Sequence, residues 1–158
     1  MSLGMVLVLT FAIGLVAGLR SLTAPAVVCW AAHLGWINLS GSVLAFMGST
    51  WALWLFTVLS LVELVAGQLP STPTRTAPVG LIARLLLGML AGACLAVAGG
   101  ASLLLGAIVA AIGALVGTFG GYHTRVGLVR SLKVPDVAVA IPEDLIAVGL
   151  GLLVVSRF

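Results

Sequence analysis

The chain is ordered by where its charges fall. Uncharged apolar runs of membrane-spanning scale follow one another, and most charged residues lie in the turns between them. A hydrocarbon core about 30 Å thick takes about 20 residues of helix. Such runs, rich in leucine and alanine, satisfy their own backbone in lipid only as helices, whereas a barrel would show short alternating segments. The chain is 62% hydrophobic and 7% charged, with mean hydropathy +1.33. A soluble domain carries about a quarter charged residues. Too little polar surface remains here to meet water, so a soluble globular fold is excluded.

The expectation is one all-α integral membrane domain over residues 1–158, a bundle of about six transmembrane helices with short turns. Helices are predicted at about 3–19, 24–39, 43–66, 77–98, 101–121 and 142–157. A re-entrant or interfacial second segment would reduce the spanning count to five. The first apolar run lacks a basic leader and a cleavage site, and reads as a retained helix. The turns after helices 1, 3 and 5 hold Arg20, Arg75 and the trio Arg125, Arg130 and Lys133, and those after helices 2 and 4 hold no basic residue. Positive turns mark the cytoplasmic side, so both termini are expected outside. Trp36, Trp51 and Trp54 flank the turn after helix 2 and suit an aromatic belt at the outer interface. The net charge of +3 reads as topology, not as a nucleic-acid surface.

Two turns are written almost alike. Residues 15–25 read LVAGLRSLTAP and residues 64–78 read LVAGQLPSTPTRTAP. They suggest an internal repeat relating a first and a second helical hairpin, with a looser third. Thr23 and Thr76 are candidate N-caps, followed by Pro25 and Pro78 in the first turn. Free N–H groups and the helix dipole make such a start a natural anion site. Arg20, Thr23, Arg75 and Thr76 are therefore candidate anion-binding residues, with topology plus capping as the plainer reading.

Arg84 lies about eight residues into predicted helix 4, and Glu63 one turn inside the same end of helix 3. Buried charges in membranes are usually paired, so Glu63 and Arg84 are expected to pair. The other reading is an arginine that snorkels to the headgroups. Pro142 reads as a helix start, which puts Glu143 and Asp144 in a first turn favoured by the dipole. Their alternative role is a proton site. His123 could titrate near neutrality, or serve as an interfacial anchor. His33 reads as a hydrogen-bonded packing residue.

Small residues recur every four positions: Gly14 and Gly18, Gly88 and Gly92, then Gly113, Gly117 and Gly121 beside Gly106, Ala110 and Ala114. This spacing lets helix backbones approach closely. Helix 5 is expected at the bundle centre, with a homo-oligomer seam as the other use of these faces. Cys29 and Cys94 lie in apolar runs and read as packing residues, with no disulfide or metal site implied. The chain has no Ser-His-Asp spacing, P-loop or paired-histidine motif. Ser21, Ser71 and Thr76 lie beside arginines without the mark of an activated nucleophile. An enzyme is not expected, and no cofactor is implied.

The stretches Glu63-Leu-Val-Ala-Gly-Gln-Leu-Pro70 and Arg75-Thr-Ala-Pro-Val-Gly80, with Gly14 to Arg20 and Glu143-Asp144-Leu145, resemble a bacterial membrane family known only as domain of unknown function 4126. The resemblance covers most of the chain. It implies a small multi-pass inner-membrane protein and brings no agreed activity. The family pattern has Asp-Lys where this chain has Gly67-Gln68. A family function that used that pair would be lost here.

The functional expectation is a transporter- or channel-like protein with a basic cytoplasmic-side site for a small anion or carboxylate. Two alternatives stand beside it: a protein that holds a lipid headgroup, and a structural or accessory membrane protein.

Overall fold

The computed structural model describes residues 1–68 and 77–158 of the chain. Among the described residues the fold is all-helical: α1 (Leu3–Leu19), α2 (Thr23–His33), a short 3-10 helix (Ala45–Gly48), α3 (Thr50–Ala66), α4 (Pro78–Ala98), α5 (Leu103–Leu132) and α6 (Asp136–Val155). The last three are each long and apolar enough to cross a membrane.

Serines start three of the helices. The hydroxyls of Ser2, Ser49 and Ser102 accept from the backbone N–H groups of Met5, Ala52 and Leu105, so each answers one unpaired donor of a first turn. Gly100 takes φ +76°, where a side chain would be strained, and lets the chain reverse between α4 and α5.

Four boundaries differ from expectation, the simplest being the third helix, expected from 43, which starts at Thr50 after the 3-10 helix. The second helix was expected over 24–39 but stops at His33, about 17 Å long at 1.5 Å per residue. Gly35 at φ +80° then turns the chain, and the following loop buries Ile37, Leu39, Leu44 and Met47. Its apolar residues pack as loop core, not as a helix face.

The fifth helix runs eleven residues past its expected end, to Leu132, and is about 45 Å long. Its polar second half was read as a turn, yet nothing there breaks a helix until Lys133 takes φ 51°. Pro135 then precedes α6, which starts at Asp136 and runs straight through Pro142. A proline nearly two turns into a helix forfeits a single backbone bond, and membrane helices absorb that loss through neighbouring groups. Glu143 and Asp144 therefore lie two turns inside α6, not in its first turn. Asp136 is the first-turn acid.

The core of the bundle is α1, α4 and α5, which pack on one another more closely than any other set. Glycine is the reason. A Cβ at Gly14 would strike the backbone of Ala110, and one at Gly18 that of Ala114. Gly113 and Gly117 press in turn on the backbone of Phe11 and Leu15. On the neighbouring face Gly92 and Gly106 bring α4 against α5. The small-residue spacing is thus used within the chain, and α5 is central as its two faces implied.

The pairing of the remaining helices departs from simple hairpins. Among the described residues α3 and α4 barely touch, although they are consecutive. α3 lies against α2, and α4 against α1, α5 and α2. The first two helix pairs are therefore not packed alike, however similar their turns read. Nearly the whole outer surface of α3 is apolar, with Leu55, Val58, Leu61, Val62 and Val65 exposed. An apolar surface this extensive marks a face meant for lipid or for protein.

Candidate functional site

The turns that follow α1 and α5, the end of α3 and the start of α4 meet at one end of the bundle. All four carboxylates of the chain, Glu63, Asp136, Glu143 and Asp144, are at this end, with Arg20, Arg84 and Arg125. They sort into three groups.

The first joins α1 to α6. Arg20 follows the last residue of α1 and is 4% exposed. Its Nε donates to Asp144 Oδ1 at 2.5 Å, and its Nη2 also pairs with that oxygen. Gln68, just beyond α3, donates from Nε2 to Asp144 Oδ2 at 2.8 Å. Among the described residues its buried Oε1 has no hydrogen-bond partner. Gly67 makes this possible, because a Cβ there would overlap the Arg20 guanidinium.

The second joins α3 to the start of α2. Glu63 Oε1 accepts from Ser21 N at 2.8 Å and from Ser21 Oγ at 2.6 Å, and Oε2 accepts from Leu22 N at 2.8 Å. Thr23 was expected to cap α2. Instead it is the first helical residue, buried, with its Oγ1 3.3 Å from Ser60 Oγ. The N-terminal donors are met by a carboxylate from another helix, an anion favoured there by the dipole. The anion site expected at Arg20 and Thr23 is thus already supplied with two carboxylates of the chain itself.

This arrangement also corrects the expected Glu63–Arg84 pair. Both oxygens of Glu63 go to Ser21 and Leu22, and Arg84 Nη1 donates to Gly80 O at 3.1 Å. The two side chains instead border one cavity of about 280 Å³, together with Arg20, Ser21, Gly67 and Gly80. Arg84 is six residues into α4, about 9 Å from its start, with its side chain on this cavity.

The third group ties α5 to α6. Arg125 grips Asp136 with two bonds, Nε to Oδ1 at 2.8 Å and Nη2 to Oδ2 at 2.5 Å, and reaches Glu143 Oε2 at 3.4 Å. Above it α5 and α6 diverge into an apolar cleft of about 520 Å³ floored by Leu15 and Leu19. Arg125 and Glu143 lie on its wall.

Arg75 and Thr76, and with them the second copy of the repeated turn, lie outside the described residues. His123 is exposed, edge-on to the Tyr122 ring at 5.4 Å. His33 is at the opposite end, exposed, with Nδ1 3.2 Å from Gly48 O. Trp36, Trp51 and Trp54 are exposed near it, with Trp51 stacked on Phe46. Cys29 and Cys94 are buried free thiols.

Sequence reasoning missed Ser21 as a partner of Glu63, Gln68 as a partner of Asp144, and the bridging role of Arg125. A signal for Gln68 was present: Gly67-Gln68 is where the chain departs from the pattern it otherwise resembles, and these two residues pack on Arg20 and Asp144.

A family model, "Domain of unknown function (DUF4126)", matches residues 7–156, nearly the whole chain. The chain belongs to the DUF4126 family. No curated protein and no solved structure matches it. Membership joins the helices to a family without an assigned activity, so the function of this DUF4126 protein is argued from its own residues.

Proposed function

We propose that this DUF4126 protein is a transporter- or channel-like protein of the inner membrane, and that its ligand is a small anion or carboxylate. The observation that carries the reading is the cavity of about 280 Å³ walled by Arg20, Arg84 and Glu63 among apolar helices. Charged side chains at membrane depth are costly, and they mark ligand or ion paths by default. Two guanidiniums give planar, multiply donating recognition of an oxyanion. Arg20, Arg125, Arg130 and Lys133 gather at this end, so it faces the cytoplasm by the positive-inside rule, with both termini outside.

A second reading has its own support. The cleft of about 520 Å³ between α5 and α6 is apolar and opens beside Arg125. An anionic lipid could rest its chain there and its headgroup at the arginines.

The test is uptake into proteoliposomes of chloride, nitrate, formate and lactate, with purified protein and with Arg84→Gln. The transport reading expects flux for at least one of these anions, reduced at least tenfold in the variant. No flux for any of them, together with co-purified lipid phosphate that Arg125→Gln removes, favours the lipid reading.

A further inference from the structure

The guanidinium nearest the cavity is already paired: Arg20, 4% exposed, holds Asp144. An anion that reaches Arg20 through the cavity shares that one buried guanidinium with the Asp144 carboxylate. Adding an anion to such a site adds uncompensated negative charge in a medium of low dielectric, which is strongly unfavourable. Replacing Asp144 on Arg20 leaves a carboxylate without its cation, and that cost is removed when Asp144 gives up its charge.

We propose that the site takes up one anion together with one proton, with Asp144 carrying the proton and the anion replacing Asp144 on Arg20. This rests on the proposed function and adds its coupling. The balance closes. A proton from water converts the Asp144 carboxylate to the neutral acid. The Arg20 guanidinium stays charged, exchanges the carboxylate for the incoming anion, and the site keeps its net charge.

Asp144 is singled out from the other three carboxylates by what holds it. Glu63 is fixed by two backbone N–H groups of the α2 start, and these donors cannot turn away. Asp136 is 61% exposed, and both Asp136 and Glu143 are gripped by Arg125 on the side of the apolar cleft. Asp144 is held by two side chains, Arg20 and Gln68, and by no backbone donor among the described residues. Gln68 also brings the acceptor that a protonated acid needs. Among the described residues its buried Oε1 has no hydrogen-bond partner. Once Asp144 carries a proton, a half-turn of the Gln68 amide lets Oε1 accept from the new O–H in place of the Nε2 donation.

Among the described residues, charged and polar side chains reach Asp144 from several elements. They are Arg20 from α1, Gln68 after α3, Glu143 on its own helix and Arg125 from α5 behind Glu143. α2, also packed on α6, brings no charged side chain. Arg20 is the shared member, since it holds Asp144 and also borders the cavity with Arg84. The ion pair therefore stands at the cavity wall, where an anion that enters meets Arg20 from the other side.

The experiment is calorimetric titration of the full chain in nanodiscs with chloride, nitrate, formate and lactate, repeated in two buffers of different ionisation enthalpy and over a series of pH values. The expected result is binding of at least one anion with about one proton taken up, and affinity falling about tenfold per pH unit as pH rises above the range where Asp144 is protonated. Asp144→Asn, a neutral isostere, binds the same anion with no proton uptake and no pH dependence. Binding by the wild type without proton uptake overturns the coupling and leaves the anion site standing. Uptake that persists in Asp144→Asn but disappears in Glu143→Gln also overturns it. Absence of binding by every anion overturns the proposed function itself. If Asp144→Asn does not fold, the buffer dependence of the wild type decides alone.

Discussion

The two halves of α5 use the same residues to opposite ends. Up to about Thr118 the helix is pressed between α1 and α4, and a Cβ at Gly106, Gly113 or Gly117 would overlap a facing helix. Beyond that point Gly120 and Gly127 meet nothing within 4 Å, and α5 parts from α6 around the cleft. The first half is closed by backbone contact and carries no charge. The second is held to α6 chiefly through side chains, Arg125 with Asp136 and Glu143. Glycine spacing alone does not tell a seam from an opening. The facing surface does: small residues of α1 and α4 line the first half, and leucine, isoleucine and paired charges line the second. A bundle built this way has a rigid part and a part whose contacts can be exchanged, and the candidate site lies in the exchangeable part.

The comparison can be broken at several points. The largest effect is expected at the polar end, from Arg20→Ala. It leaves Asp144 without its cation, and such a loss typically costs about 3–5 kcal/mol. Thermal unfolding in detergent should show a drop of that order, and a change within error would mean that the pair does not hold α6 to α1. Next comes Gly117→Ala in the closed half of α5. A methyl there meets the backbone of Leu15, and overpacking of this kind costs about 1–3 kcal/mol. The smallest effect is Gly120→Ala, one turn on and in open space. It should be neutral or stabilise by up to about 1 kcal/mol, because alanine is the better helix former. Equal losses at Gly117 and Gly120 would erase the distinction between the halves.

Much of this architecture is legible in the sequence, for physical reasons that can be named. Lipid demands long apolar helices, so the existence of six helices follows from the spacing of charges. The boundaries of α1 and α4 follow too, because Arg20 and Pro78 punctuate them. The end of α2, the start of α3, the end of α5 and the start of α6 do not. His33 ends α2 because loop residues such as Met47 and Leu39 fill the core in place of a helix face. α5 continues through a polar stretch because nothing interrupts the backbone before Lys133. Pro142 looked like a start and is an interior residue, since Pro135 and Asp136 already supply one.

The site was half legible. Glu63, Arg20, Arg84 and Asp144 stand out as charges in apolar surroundings, and all reach the same end of the bundle. Who pairs with whom does not follow from that. Glu63 and Arg84 are on helices consecutive in sequence, which suggests a pair, but α3 leans on α2 and carries its carboxylate to Ser21. Arg20 takes a partner 124 residues away, which no local spacing announces.

The central claim is that Arg20 and Asp144 form one charge pair that closes α1 on α6 and can be exchanged. A double-mutant cycle on Arg20→Ala and Asp144→Ala, read by unfolding in detergent, tests it most directly. The account predicts a coupling of about 2–3 kcal/mol, with the double variant more stable than the two single losses add up to. Additive losses, with coupling near zero, would contradict it.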